Sequence, residues 1–170
     1  ATLPGMKERT LLIDSVSKSL AMTGFRVGIA SGPVHLIELM TKCVENVYSA
    51  VATPSQYAAL VAFDKGMEAM MAMKKEYKKR RGFLVSRINE MDKISCIMPK
   101  GAFYVFANIK KTGLSAEEFA ERLLEKEHVA VIPGSNFSKN ASGYVRISYG
   151  TSMEKIEDGL NRMERFLKSL

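Results

Sequence analysis

The sequence predicts an α/β fold, in which short strands and amphipathic helices alternate along the chain. Short apolar runs bounded by turn-forming residues indicate strands. Longer stretches place apolar residues at three- and four-residue steps, which indicates helices. A length of 170 residues, with 46% hydrophobic and 25% charged residues, is typical of one compact domain with its own core.

Two short strands are predicted near the amino terminus. Residues 11–13 form an apolar run between polar turn formers, and residues 25–30 form a second run that ends at a Ser-Gly-Pro segment. A loop between these strands would contain Lys18.

Helices are predicted to follow Pro33. Apolar side chains recur on one face of the first helix at Leu36, Leu39, Met40, Cys43 and Val47. After a break, Thr53 with Gln56 fits a capping box and Pro54 fits the first helical position. Helical spacing then continues to about residue 91, and Gly82 is either a joint or a tolerated glycine within this region. The spacing of the five methionines between Met67 and Met91 favours a role in the core over an adaptable binding surface.

The last third of the chain is predicted to alternate strands with two more helices. Strands are expected at residues 95–98, 102–109, 129–132 and 144–148. Ser115 with Glu118 and Thr151 with Glu154 fit capping boxes at the starts of the two helices.

Several classes of protein do not fit the composition. The two cysteines, Cys43 and Cys96, lack metal-ligand spacing and are expected to be reduced and buried. His35 and His128 are each isolated, so no metal site is predicted. The sequence has neither a membrane-spanning apolar run nor a secretory signal, which predicts a cytoplasmic location and no membrane partner.

The net charge of +7 raises the question of nucleic-acid binding. Much of the excess lies in one segment, residues 74–81, with the sequence KKEYKKRR. A solvated helical face explains this segment better than a nucleic-acid patch, because no nucleic-acid-binding motif accompanies it. We therefore expect no nucleic-acid partner, while a basic interaction module remains an alternative.

Residues 15–28, with the sequence SVSKSLAMTGFRVG, carry the chemistry of the chain. A lysine amine forms a Schiff base with an aldehyde once it is neutral, and a nearby positive charge or burial promotes that state. An arginine guanidinium matches the oxygens of a phosphate, and serine hydroxyls add donors to the same anion. The residue types alone also suit an ordinary surface loop.

The order and spacing of these residues resemble the lysine signature of class I and class II aminotransferases, a fold-type I pyridoxal-phosphate-dependent family. The resemblance continues through PKGAFY at residues 99–104, VIPGSNF at 131–137 and GYVRISY at 143–149. It implies that Lys18 binds the cofactor as a Schiff base and then moves a proton between the substrate and the cofactor. It also implies that Ser15 and Arg26 hold the cofactor phosphate, with Ser17 as a weaker candidate.

The same resemblance implies a substrate site. Arg146 resembles the arginine that binds the substrate α-carboxylate, for which a guanidinium has suitable two-pronged geometry. Phe103 lies where the family often places an aromatic residue of the substrate pocket. Tyr104 and Phe137 are nearby candidates, although each of the three aromatic residues is expected to lie in the core.

The resemblance implies a particular domain organisation. Residues 1–32 are expected to be a remnant of the large cofactor-binding domain, 33–91 a helical linker with interdomain helices, and 92–170 the carboxy-terminal small domain. Family members are roughly twice as long, so the chain is expected to be a carboxy-terminal fragment that lacks activity by itself. The expected substrates are an α-amino acid and a 2-oxo acid, and the full-length parent is expected to be a homodimer.

Other reactions remain open within the same family. The Arg146 segment favours a substrate that keeps its carboxylate, which fits transamination or β-elimination better than decarboxylation. A β-lyase or a synthase is therefore the alternative to an aminotransferase.

Overall fold

A computed structural model describes all residues, 1–170, and divides the chain into two compact units, residues 1–73 and 74–170. The division falls inside the longest helix. The domain boundaries expected after residues 32 and 91 come from the family resemblance and stay a prediction.

The first unit begins with a β-hairpin. After a 3-10 turn at Lys7–Arg9, strand β1 (Leu12–Ser15) pairs antiparallel with β2 (Gly28–Ser31), and helix α1 (Val16–Ser19) and a 3-10 turn (Thr23–Phe25) lie between the strands. All residues of both strands are exposed. The buried residues of this unit are Val16, Met22 and Ala59, which form a small core next to the hairpin connection.

Three helices follow, namely α2 (Val34–Tyr48), α3 (Thr53–Lys65) and α4 (Met67–Glu90). The break between α3 and α4 lies at Gly66, whereas Gly82 is tolerated within α4. The predicted Thr53–Gln56 capping box is wrong. Ala52 is the N-cap of α3, and the Gln56 side chain donates a hydrogen bond to the Val51 carbonyl instead.

The second unit contains a four-stranded antiparallel sheet. Its strands are β3 (Ser95–Cys96), β4 (Tyr104–Asn108), β5 (Ile132–Pro133) and β6 (Tyr144–Ser148), in the spatial order β3-β4-β6-β5. The unit also contains the part of α4 from residue 74 onward, helices α5 (Ala116–Glu127) and α6 (Met153–Lys168), and 3-10 turns at Lys110–Thr112, Gly134–Asn136 and Lys139–Ala141.

The core of the second unit lies against one face of this sheet. Val105 and Ala107 of β4 and Val145 and Ile147 of β6 are buried, as expected for alternate positions of paired strands. Helices α5 and α6 contribute Phe119 and Phe166 among others, and these two rings make an edge-to-face contact with centroids 5.3 Å apart. The alternate residues of β4 and β6, Arg146 among them, therefore lie on the opposite face of the sheet.

Helix starts in this unit test two of the predicted caps. The Ser115–Glu118 capping box is present in both directions and is confirmed. The Thr151–Glu154 box is wrong by one residue, because Ser152 is the N-cap of α6 and its hydroxyl accepts a hydrogen bond from the Lys155 backbone N–H.

Two predictions of burial are also wrong in part. Cys43 is exposed and Cys96 is half-buried, although neither forms a disulfide. Met67 and Met71 are exposed, whereas Met91 lies in the core. No helix has both the length and the apolar character needed to cross a membrane.

Candidate active site

Lys18 lies in the short helix α1, directly after β1. Ser15 is the N-cap of this helix, and its hydroxyl accepts a hydrogen bond of 3.0 Å from the Ser17 backbone N–H. The side chain of Val16, only 1% exposed, anchors the helix in the small core. Because Val16 faces the core, the helix presents the Lys18 side chain at the surface, where it is exposed.

Arg26 lies at the other end of the same connection. Its backbone is left-handed, with φ 56° and ψ 45°, a conformation that is uncommon for residues other than glycine. One guanidinium nitrogen donates a hydrogen bond of 2.9 Å to the Thr23 carbonyl, and no carboxylate pairs with the group. The remaining N–H donors of Arg26 are therefore available for an anion.

The hairpin places all the predicted cofactor ligands in or next to the loop that joins β1 to β2. The pair Ser15↔Gly28 is the last of the β1–β2 ladder, so Ser15, Ser17, Lys18 and Arg26 all lie within or at the base of the loop that this pair closes. A guanidinium, two hydroxyls and an amine form a donor set suited to a phosphorylated aldehyde. The residues present therefore fit pyridoxal phosphate.

Arg146 lies on β6, opposite Phe106 of β4 and Ile132 of β5. Its guanidinium carbon is 4.4 Å from the centroid of the Tyr104 ring and 4.5 Å from the centroid of the Phe137 ring. No carboxylate of the chain pairs with Arg146. Two aromatic rings thus hold the cation while its N–H donors remain unpaired with any acid, which suits an incoming carboxylate.

Phe103 lies directly before β4, and contacts made by its ring and by the preceding residue, Ala102, hold this segment in place. The Phe103 ring stacks against Tyr77, with centroids 6.0 Å apart, and lies 4.3 Å from the Tyr104 ring. The Tyr149 hydroxyl donates a hydrogen bond of 2.8 Å to the Ala102 carbonyl. Burial raises the pKa of Tyr149, which favours the protonated phenol that this hydrogen bond requires.

The sequence alone did not identify Tyr77 and Tyr149 as supports of Phe103. Tyr149 belongs to the GYVRISY segment that resembles the family, so the sequence marks it as a possible site residue. Tyr77 lies within the basic segment of residues 74–81, where no motif marks it. The expectation that Phe137 lies in the core is wrong, because half of its surface (50%) is exposed beside Arg146. Phe103 and Tyr104 are half-buried.

Comparison with protein families gives a match to the model for aminotransferase class I and II over residues 2–163. The chain belongs to this family. The resemblance to this family is thereby confirmed. The solved structures described below confirm the predicted α/β fold class. Members of the class I and II aminotransferase family depend on pyridoxal phosphate.

Individual relatives agree with this assignment. The chain is 47% identical over 167 residues to a putative aminotransferase, YugH, of Bacillus subtilis, and 45% identical over 170 residues to an aspartate aminotransferase of Pyrococcus abyssi. These matches include 98% and 99% of this chain but 43% of each relative. The chain thus spans less than half the length of these aminotransferases.

Solved structures show the same relationship. The fold superposes with a TM-score of 0.96 on an aromatic aminotransferase from Pyrococcus horikoshii, which is 44% identical, over 99% of this chain and 45% of that structure. An aspartate aminotransferase from Rhizobium meliloti gives a TM-score of 0.92 at 34% identity, over 98% of this chain and 44% of that one. The chain therefore has the fold of one part of a fold-type I aminotransferase.

Proposed function

We propose that the chain is the lysine-bearing, carboxy-terminal part of an aminotransferase that transfers an amino group from an α-amino acid to a 2-oxo acid. The observation that carries this proposal is the loop closed by the Ser15↔Gly28 pair, which gathers Lys18 and Arg26 in one connection. In this proposal, residues 1–32 belong to the large cofactor-binding domain, 33–91 link the domains, and 92–170 form the small domain.

Each residue of the loop has a separate role in this proposal. Arg26, Ser15 and, more weakly, Ser17 bind the cofactor phosphate, because they combine a positive charge with hydroxyl donors. Lys18 holds the cofactor through its Nζ atom. The same Nζ atom then holds the proton that leaves the substrate α-carbon, which makes Lys18 the catalytic residue. Bound pyridoxal phosphate supplies the electron sink for this proton removal.

Arg146 binds the substrate carboxylate in this proposal, and Phe103 contributes an aromatic wall to the substrate pocket. The relatives differ in the substrates that their names record, since they include aspartate and aromatic-amino-acid aminotransferases. The proposal therefore specifies the class of substrate, an α-amino acid that keeps its carboxylate, rather than one amino acid. We further propose that the full-length protein is a homodimer and that this chain alone is inactive.

The test uses a polypeptide of the relatives' full length that contains this chain. Borohydride reduction of the cofactor-loaded protein should trap the cofactor at Lys18, as located by peptide mass spectrometry. Lys18→Ala should abolish transamination yet retain non-covalent cofactor binding, because Arg26 and Ser15 still bind the phosphate. Lys42→Ala, at an exposed lysine of α2, is the matched control and should be fully active.

Arg146→Ala should raise KM while leaving the visible absorbance of the bound cofactor unchanged. Trapping of the cofactor at a lysine other than Lys18 would refute the assignment of the catalytic residue. Normal transamination by the chain of residues 1–170 alone would refute the proposal that it is inactive.

A further inference from the structure

The two rings that hold the Arg146 guanidinium are fixed by different means. Tyr104 lies on β4, within the sheet, where the pairing Tyr104↔Ser148 fixes its backbone. Phe137 lies outside the sheet, at the residue that ends the 3-10 turn Gly134–Asn136, and half of its surface is exposed. The position of the Phe137 ring therefore depends on what holds this turn.

Within the turn, the Phe137 backbone N–H donates a hydrogen bond of 2.9 Å to the Gly134 carbonyl. The ring of Phe106 on β4 makes an edge contact with Phe137, with centroids 5.8 Å apart. These two contacts restrain the Phe137 backbone locally and one side of its ring.

A third contact ties the turn to another element. The Ser135 hydroxyl donates a hydrogen bond to the Glu117 carboxylate on the first turn of α5. The start of α5 is itself fixed by the Ser115–Glu118 capping box. The hydrogen bond from Ser135 is the main cause that lowers the pKa of Glu117, so Glu117 is an ionised acceptor at neutral pH.

We propose that the hydrogen bond from Ser135 to Glu117 positions the substrate-carboxylate site, by keeping the Phe137 ring over the Arg146 guanidinium. This inference rests on the proposed role of Arg146 in binding a carboxylate. Without the Ser135–Glu117 contact, Phe137 keeps its hydrogen bond to Gly134 and its edge contact with Phe106, but its turn loses the link to α5. The Phe137 ring is then held less firmly over the guanidinium. Ordering these groups again when a ligand binds costs affinity. Ser135 and Glu117 are thus positioning residues that do not touch the substrate.

The test observes Arg146 directly, in the ¹⁵N-labelled chain of residues 1–170. The Nε–Hε resonance of Arg146 is assigned by its absence from the spectrum of Arg146→Lys. The rings of Tyr104 and Phe137 should shift this resonance away from the position of a solvent-exposed arginine. Titration with pyruvate, a simple 2-oxo acid, should shift this resonance further, whereas sodium chloride at equal ionic strength should not.

Ser135→Ala should move the Arg146 resonance toward that of a solvent-exposed arginine and raise the Kd for pyruvate about threefold to tenfold, the usual net effect of one hydrogen bond. Glu117→Gln keeps an acceptor but removes its charge, and should give a smaller change in the same direction. Ser135→Thr keeps a hydroxyl group, so the Arg146 resonance and the Kd for pyruvate should both match those of the unsubstituted chain. Glu121→Gln, at an exposed glutamate of the same helix, is the matched control and should change neither readout.

Two outcomes separate this inference from the proposed function. An Arg146 resonance and a pyruvate affinity that are both unchanged in Ser135→Ala would overturn the positioning role. A resonance that moves in Ser135→Ala, in a chain that does not bind pyruvate, would support the positioning of Phe137 by the Ser135–Glu117 hydrogen bond and overturn the carboxylate role of Arg146.

Discussion

A single added methyl group at Gly134 should destabilise the second unit. Gly134 is buried at the start of the turn that carries Phe137. A Cβ atom at this position would lie far inside van der Waals contact with the Ala141 carbonyl oxygen and 2.7 Å from the Tyr144 carbonyl oxygen. Both obstacles are backbone atoms, and Tyr144 begins the sheet strand β6, so neither can move without disturbing the structure around it.

From this overlap we expect Gly134→Ala to lower the free energy of unfolding by about 1–3 kcal/mol, the usual cost of overpacking. Urea denaturation followed by tyrosine fluorescence measures this change. Gly159→Ala is the matched control, since Gly159 lies within α6 and the added Cβ would meet nothing within 4 Å beyond the neighbouring backbone of its own helix. That substitution should instead stabilise the protein by about 0.5–1 kcal/mol, the difference in helix propensity. Equal effects of the two substitutions would refute the packing argument.

Three further predictions concern the second unit. Ser115→Ala removes the cap of α5 and should cost about 1 kcal/mol of stability in urea denaturation. Phe119→Ala empties a site that is fully buried and should cost about 3–5 kcal/mol in the same assay. Hydrogen bonds from Lys168 and Arg87 lower the pKa of Glu164 from its ordinary value of 4.5. Glu164 therefore stabilises the fold above that value and loses this contribution as the pH falls through its lowered pKa, so Glu164→Gln should reduce the loss of stability on acidification.

Features that depend on neighbouring residues were the most predictable from the sequence. The sequence predicts the Ser115–Glu118 capping box correctly because both of its hydrogen bonds join residues three positions apart. The caps predicted at Thr53 and Thr151 are wrong because another residue is the N-cap in each case. Ala52 caps α3 by its backbone alone, and Ser152, one position after Thr151, caps α6. Apolar periodicity identified α2 but not its environment, and Cys43 on its apolar face is exposed.

The candidate site divides in the same way. Lys18 and Arg26 belong to one continuous loop, which explains why the sequence could predict that they lie together, while their roles stay a prediction. The rings beside Arg146 come from β4 and from the turn at Gly134–Asn136, so their arrangement depends on strand order and register. The hydrogen bond between Ser135 and Glu117 joins two elements with no shared sequence pattern, and only the folded chain reveals it.

The hairpin at the amino-terminal end of the chain has a practical consequence for protein engineering. Four residue pairs from Leu12↔Ser31 to Ser15↔Gly28 set where the amine of Lys18 lies relative to the guanidinium of Arg26. A slip of one residue between the strands would move one side of the loop by about 3.4 Å and turn the strand side chains to the opposite face. A design that transfers this loop to another protein scaffold must therefore include both paired strands. The loop residues alone do not fix the spacing of the Lys18 and Arg26 side chains.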